Sequence, residues 1–188
     1  TAGALRLDDQ GIPDQYTGIA SSANPGSEGN AGEIEITVVG LLELLNGAQI
    51  LSSTFAKGDA GRVKVTAGEL KIDGLGTLDQ LTGIASTAED GSEGKAGTVE
   101  ISVAGLLQLI NGAGISSSTW AQGDAGSVIV NAITMDITGE STGIYSNATY
   151  SATGYVGDVM INSDSINLSQ GGEISIAANQ TLSEDRLV

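Results

Sequence analysis

The side chains that could do chemistry in this sequence are almost all carboxylates. Its 188 residues include 23 Asp and Glu, 7 Lys and Arg, no His and no Cys, and the net charge is −16. Because imidazole and thiolate are missing, zinc sites of the usual kind and His-dependent acid–base catalysis are excluded. The negative charge argues against nucleic acid as a partner, since phosphate backbones are bound by basic patches.

Neighbouring carboxylates are the nearest approach to a catalytic motif. They occur at Asp8–Asp9 and at Glu89–Asp90, in segments whose length varies. A polysaccharide lyase or hydrolase would need such groups to converge with a basic residue. Three of the basic residues, Arg62, Lys64 and Lys95, are instead explained by neighbours at equivalent repeat positions. The sequence therefore predicts that the protein is not an enzyme, and a polysaccharide-active enzyme is the least favoured alternative.

Calcium is the one cofactor that these carboxylates could bind. Hard cations take several oxygen ligands, but the Gly-Gly-x-Gly-x-Asp signature of calcium-binding repeats is absent. We predict no cofactor, with calcium in the loops as the alternative. Its candidate ligands are Asp8, Asp73, Glu89, Asp90 and Glu93.

An internal repeat organises the chain. The segment Ile50 to Val65 (I-L-S-S-T-F-A-K-G-D-A-G-R-V-K-V) returns at Ile115 to Val130 as I-S-S-S-T-W-A-Q-G-D-A-G-S-V-I-V, and looser copies begin at Ile19, Ile84 and Ile144. The residue at the third position of each Gly-x-Ala-Gly corner recurs at intervals of 29, 36, 29 and 31 residues. Four corner residues are interpreted as structural, with each Asp capping its own turn: Asp59, Gly61, Asp124 and Gly126.

The apolar residues behind each corner alternate with polar ones, which is the period of a β-strand. Aligned columns of them predict an all-β, right-handed parallel β-helix with three strands per turn and about six turns, built from 29- and 36-residue units. The Leu-rich copies after Gly40 and Gly105 carry one extra residue, which predicts a bulge. Residues 1–188 form one segment, with turns at about 1–30, 31–59, 60–95, 96–124, 125–155 and 156–188.

Aromatic residues are rare, so their positions are informative. Phe55 and Trp120 are equivalent by the 65-residue offset, and Tyr145 lies near the corresponding corner. Packing over the core is the favoured interpretation. Stacking on a sugar, with these residues as ligand-binding candidates, is the alternative.

The repeat also resembles a known family. The pattern consists of Ile-x-Ser-x-Thr, then Gly-Asp-Ala-Gly-x-Val-x-Val-x-Ala, then Leu-x-Ile at Leu70 to Ile72. It is similar to the haemagglutinin-type repeats of two-partner-secretion exoproteins. These are filamentous haemagglutinin-like adhesins of bacteria. The resemblance implies a right-handed β-helix in a fibrous passenger that an outer-membrane transporter partner exports to the bacterial cell surface. It implies contact with host-cell or surface glycans through the parent protein, and it transfers no active site.

These observations lead to an expected function. The chain opens within a repeat and shows no initiating Met or signal peptide, so we expect a segment of a longer protein. We predict a structural and adhesive repeat of a secreted or cell-surface fibre, acting as a rigid spacer and contact surface. The alternatives are a carbohydrate-binding module and a subunit of an extracellular filament that self-associates end to end.

Overall fold

The computed structural model describes residues 1–10, 16–74, 81–149 and 152–178. Within these ranges the regular structure is entirely β-strand, and no helix of these residues is long and apolar enough to cross a membrane. The strands are β1 (Leu5–Asp8), β2 (Gly18–Ala23), β3 (Ile34–Leu45), β4 (Gln49–Thr54), β5 (Val63–Asp73), β6 (Thr82–Ala88), β7 (Val99–Ile110), β8 (Ala113–Thr119), β9 (Val128–Thr138), β10 (Gly143–Ala148), β11 (Val159–Ser169) and β12 (Glu173–Ala178).

The strands stack into two parallel sheets. One sheet runs β1-β3-β5-β7-β9-β11, and the other runs β12-β10-β8-β6-β4-β2. Each strand therefore pairs with its counterparts in the turns before and after it, which makes the chain a parallel β-solenoid of about five turns. The predicted fold class is confirmed, while the count of about six turns is one too high because β1 and β2 form only part of a turn. The right-handed sense stays a prediction.

The first and second predicted strands of each turn are continuous. They form single strands of 12 residues in β3 and β7 and of 11 residues in β5, β9 and β11. Three separate strands per turn are therefore not confirmed. The pairing register shifts between Val38 and Leu41 and between Val103 and Leu106, where β3 and β7 carry the extra residue predicted from the sequence.

The predicted columns of apolar residues are confirmed by the strand register. Ile34 pairs with Val63, Val63 with Val99 and Val99 with Val128. The inward side chains of both sheets form one aliphatic core, to which no aromatic residue contributes among those that the structure describes. Its largest members have at most 1% of their surface exposed, and include Leu42, Leu44, Ile50, Leu70, Ile72, Ile84, Ile101, Leu107, Leu109, Ile115, Met135 and Ile137.

The corner glycines pack against the corner of the preceding turn. A Cβ on Gly94 would lie 2.0 Å from the Gly58 carbonyl oxygen, and one on Gly126 would lie 2.3 Å from that of Gly97. Any side chain there would clash with backbone that cannot move aside. Gly61 and Gly126, assigned to structural turns from the sequence, thus have a steric role. The same crowding affects Gly58, Gly61, Gly97, Gly123, Gly154 and Gly157.

A column of serines joins these corners. The Gly126 N–H donates to Ser117 Oγ at 2.8 Å, and that hydroxyl donates to the Gly97 carbonyl of the preceding turn at 2.9 Å. Each such serine therefore satisfies one donor of its own turn and one acceptor of the neighbouring turn. Ser86 and Ser146 make the same two bonds.

The corner aspartates also act between turns. Asp59 Oδ1 accepts from the Lys95 N–H at 2.8 Å, and Asp124 Oδ1 accepts from the Tyr155 N–H at 2.9 Å. The sequence predicted that each carboxylate caps its own turn, whereas the structure places the donor one turn further along. Lys95 Nζ lies 2.8 Å from Asp124 Oδ2, and this bond is the main cause that lowers the pKa of Asp124.

We expect Gly94→Ala to lower the free energy of unfolding by about 3 kcal/mol, because the new methyl group would overlap the Gly58 carbonyl. Urea denaturation measures this change. Gly29→Ala is the matched control, since Gly29 is the first glycine of the first corner and a Cβ added to it would meet no atom within 4 Å. The control should change stability by less than about 0.5 kcal/mol. Equal effects of the two substitutions would contradict the steric role of the corner.

Candidate functional site on the loop edge

The loops between the second sheet and the corners alternate in length along the solenoid. Long loops follow β2 and β6 and contain the same Gly-Ser-Glu-Gly sequence at 26–29 and 91–94. Both turn in the same way: the Ser27 N–H donates to the Asn24 carbonyl, and the Ser92 N–H donates to the Glu89 carbonyl, each at 3.1 Å. Positive φ angles of 84° at Gly26 and 79° at Gly91 allow this turn. Short loops follow β4 and β8.

The first residue of each loop forms a column that includes both predicted aromatic residues. The Phe55 N–H donates to Ala23, the Glu89 N–H to Thr54, and the Trp120 N–H to Ala88, at 2.8 to 2.9 Å. Phe55 and Trp120 therefore lie two turns apart, a separation of roughly 10 Å at the usual strand spacing, with Glu89 between them. We call these three residues the aromatic edge.

Both aromatic side chains of the edge are partly accessible. The exposed fraction is 41% for Phe55 and 47% for Trp120. Glu89 is half-buried, and this burial raises the pKa of its carboxyl group. An edge with aromatic surface and a carboxyl group can bind a ligand that offers both apolar faces and hydroxyl groups.

A cleft of about 240 Å³ opens beside Phe55, between the two long loops. The short loop contributes Phe55 and Lys57, and the long loops contribute Glu28 and Glu93. Lys57 Nζ lies 3.8 Å from Glu28 Oε1, an exposed contact that contributes little to stability. The cleft therefore places both charge signs around one aromatic ring.

Tyr145, the third predicted aromatic residue, does not belong to this edge. It lies within β10, in register with Ser116 of β8 and Ser175 of β12. A Cβ on Gly143 would meet its hydroxyl oxygen at 2.5 Å, so the ring covers Gly143. Burial, with a smaller contribution from Glu173, raises the pKa of Tyr145 to about 12. This environment indicates a packing role.

The structure divides the candidate calcium ligands between two places. Asp8 and Asp73 lie in the first sheet, where they accept from the side-chain amides of Asn46 and Asn111, each at 2.9 Å. The other candidates lie on the second long loop. Among the residues that the structure describes, no three acidic side chains are grouped closely enough to hold a metal ion. The second-loop candidates are Glu89, Asp90 and Glu93.

A second concavity was missed in the sequence analysis. It is a groove of about 380 Å³ near the middle of the long strands, and it runs across β5, β7, β9 and β11. We call it the axial groove. Its outward wall is the register column Thr66, Ser102, Asn131 and Asn162. That column has the parity of the outward charged residues, so its uncharged polar character could be predicted from the sequence, whereas the concavity beside it could not.

Comparison of the chain with protein-family models, with curated proteins and with solved structures found no match. The stacking of its two parallel sheets defines the chain as a β-solenoid repeat protein.

We expect the fold to lose stability as the pH rises from about 10 to about 12. An unfolded tyrosine ionises near 10, whereas folded Tyr145 keeps its proton up to about 12, so ionisation favours the unfolded chain in this window. Denaturant unfolding at a series of pH values measures the loss, and Tyr145→Phe should reduce it. Tyr155→Phe is the control, since Tyr155 is 78% exposed. The same loss in the wild type and in Tyr145→Phe would contradict this prediction.

Proposed function

We propose that the chain is a structural segment of a secreted or cell-surface bacterial fibre, in which it acts as a rigid spacer and as a contact surface. The observation that carries the proposal is the uninterrupted stacking of equivalent turns. Both sheets continue through every described turn, and the corner bonds recur from Ser21 to Ser146. Such a stack forms a long and stiff element, because each turn contacts its neighbours through many equivalent bonds.

The charge distribution supports this role. Basic residues of the corners and of the first sheet form ion pairs with carboxylates of adjacent turns. For example, Lys64 Nζ lies 2.8 Å from Glu35 Oε1. Arg62 is bound by Glu33 and Glu100 of the turns on either side. With these cations engaged, the surface as a whole is acidic, which favours solubility of an extended fibre.

The resemblance of the repeats to filamentous haemagglutinin-like exoproteins supports the location. We propose export through an outer-membrane transporter partner, and contact of the parent protein with glycans or other cells. In this proposal the segment has no enzymatic activity. Stacking of the solenoid ends between copies, as in a filament, is an arrangement that the same fold would allow.

The location is tested by labelling intact cells of the source organism. An antibody raised against this chain should label cells without permeabilisation, because the proposed fibre lies outside the outer membrane. An antibody against a cytoplasmic protein is the control for cell integrity. Labelling that needs permeabilised cells would contradict the proposal.

Carbohydrate binding at the aromatic edge is the second candidate function. The specific observation in its favour is the spacing of Phe55 and Trp120 by two turns, roughly 10 Å, beside a cleft of about 240 Å³. This separation is comparable to the length of an extended disaccharide, so two rings could contact alternate units of one glycan. Aromatic faces bind the apolar face of a sugar ring by packing and partial desolvation.

We expect Trp120→Ala to weaken glycan binding about tenfold if the aromatic edge is a binding site, which corresponds to about 1.4 kcal/mol. A glycan array identifies a ligand, and titration calorimetry measures its affinity. Tyr155→Ala is the matched control, because it removes an exposed aromatic side chain outside the column. An array without binding, or equal affinity of Trp120→Ala and wild type, would contradict glycan binding at the aromatic edge. The spacer role of the segment would then remain.

A further inference from the structure

We propose that the axial groove binds a linear, uncharged glycan that lies along the solenoid axis. This site is separate from the aromatic edge, and the proposal does not depend on binding there. The groove takes residues from four consecutive turns of the first sheet, so its length is roughly 14 Å at the usual strand spacing. Its volume of about 380 Å³ lies in the range of small-ligand sites.

The lining of the groove is almost uncharged. Its wall carries two hydroxyls and two amides, from Thr66, Ser102, Asn131 and Asn162, and only Asp164 at one end is ionisable. The chain as a whole has a net charge of −16. A polyanionic ligand would be repelled by the surrounding surface, and the groove offers no cation to offset that repulsion. The chemistry therefore selects an uncharged ligand rich in hydrogen-bonding groups.

The floor of the groove is apolar. Ala67, Val103 and Ala132 are buried residues of its lining, and Ile133, which also lines the groove, is 54% exposed. Met160 precedes Asn162 by two residues and therefore lies on the same face of β11. It is 48% exposed. Polar groups above an apolar floor match a pyranose ring, which carries hydroxyls at its rim and C–H groups on its faces.

The amide side chains of the wall have hydrogen-bonding atoms available for a ligand. Asn162 Nδ2 donates weakly to Asn131 Oδ1 at 3.5 Å. Each amide has two donors and an acceptor with two lone pairs. Across the described residues no other side-chain bond engages this pair, so the Asn131 nitrogen and the Asn162 oxygen can bind a hydroxyl.

The spacing of the wall favours a glycan over a peptide. Equivalent side chains repeat once per turn, at roughly 4.8 Å, whereas an extended peptide repeats every two residues, at about 6.6 to 6.8 Å. A glycan linked through opposite positions of its rings advances by close to one strand spacing per unit. Addition of a peptide strand is also blocked here, because β5, β7 and β9 are already paired on both sides.

The test is calorimetric titration with uncharged β-1,4-linked gluco-oligosaccharides, from disaccharide to hexasaccharide. Affinity should rise with length until the groove is filled, and then level off. Asn131→Leu should weaken binding about tenfold, since it removes the donor and acceptor of the wall. Asn167→Leu is the matched control, because Asn167 lies on β11 outside the groove and bonds to Asp136. Ser102→Ala provides a second, milder change in the wall, and circular dichroism checks that each variant is folded.

The results of this titration separate the two binding surfaces. Binding that falls in Asn131→Leu and Ser102→Ala but not in Asn167→Leu or Trp120→Ala supports the groove. Binding that falls only in Trp120→Ala places the ligand at the aromatic edge and overturns the groove proposal. The proposal is also overturned if none of these oligosaccharides binds at millimolar concentration, or if an oligogalacturonate of equal length binds equally well.

Discussion

The close approach of successive corners is the constraint on which the rest of this structure depends. At Gly94 and Gly126 a side-chain carbon would lie 2.0 and 2.3 Å from the carbonyl oxygen of the turn below. Only glycine permits that distance, and only at that distance can a serine such as Ser117 bond to both corners at once. The aliphatic columns then follow, because each turn is placed directly above the last. With few aromatic residues available, this alignment is what fills the core.

Regular stacking also determines where variation is tolerated. The loops after the second sheet lie outside the core, so they can be long after β2 and β6 and short after β4 and β8 without disturbing the register. Variable loops on a constant frame are where binding residues are usually found in repeat proteins. Here they hold Phe55 and Trp120 in one column. The frame itself forms the axial groove, since its lining comes from β5, β7, β9 and β11.

The two concave surfaces suit different interactions. The aromatic edge places Phe55 and Trp120 in one column, and the cleft beside Phe55 adds charges of both signs, including Lys57 and Glu93. The axial groove has almost no charge and carries hydroxyls and amides at the spacing of the turns. A fibre built from such segments would repeat both surfaces along its length. Weak binding at each turn would then become strong through multivalency, which is a common route to adhesion.

The sequence by itself determined the repeat, the pairing partners and the parity of each side chain. Columns such as Ile34, Val63, Val99 and Val128 could be predicted because a buried strand must place apolar residues at every second position and identical repeats must stack in register. The extra residue in β3 and β7 could also be predicted from the sequence. The tertiary structure alone decided the rest. It joined two predicted strands into one, because strand pairing continues on both sides of the register shift. It placed the donors for Asp59 and Asp124 in the next turn, and it separated Tyr145 from Phe55 and Trp120. Such relations depend on distances between turns, which a one-dimensional pattern does not contain.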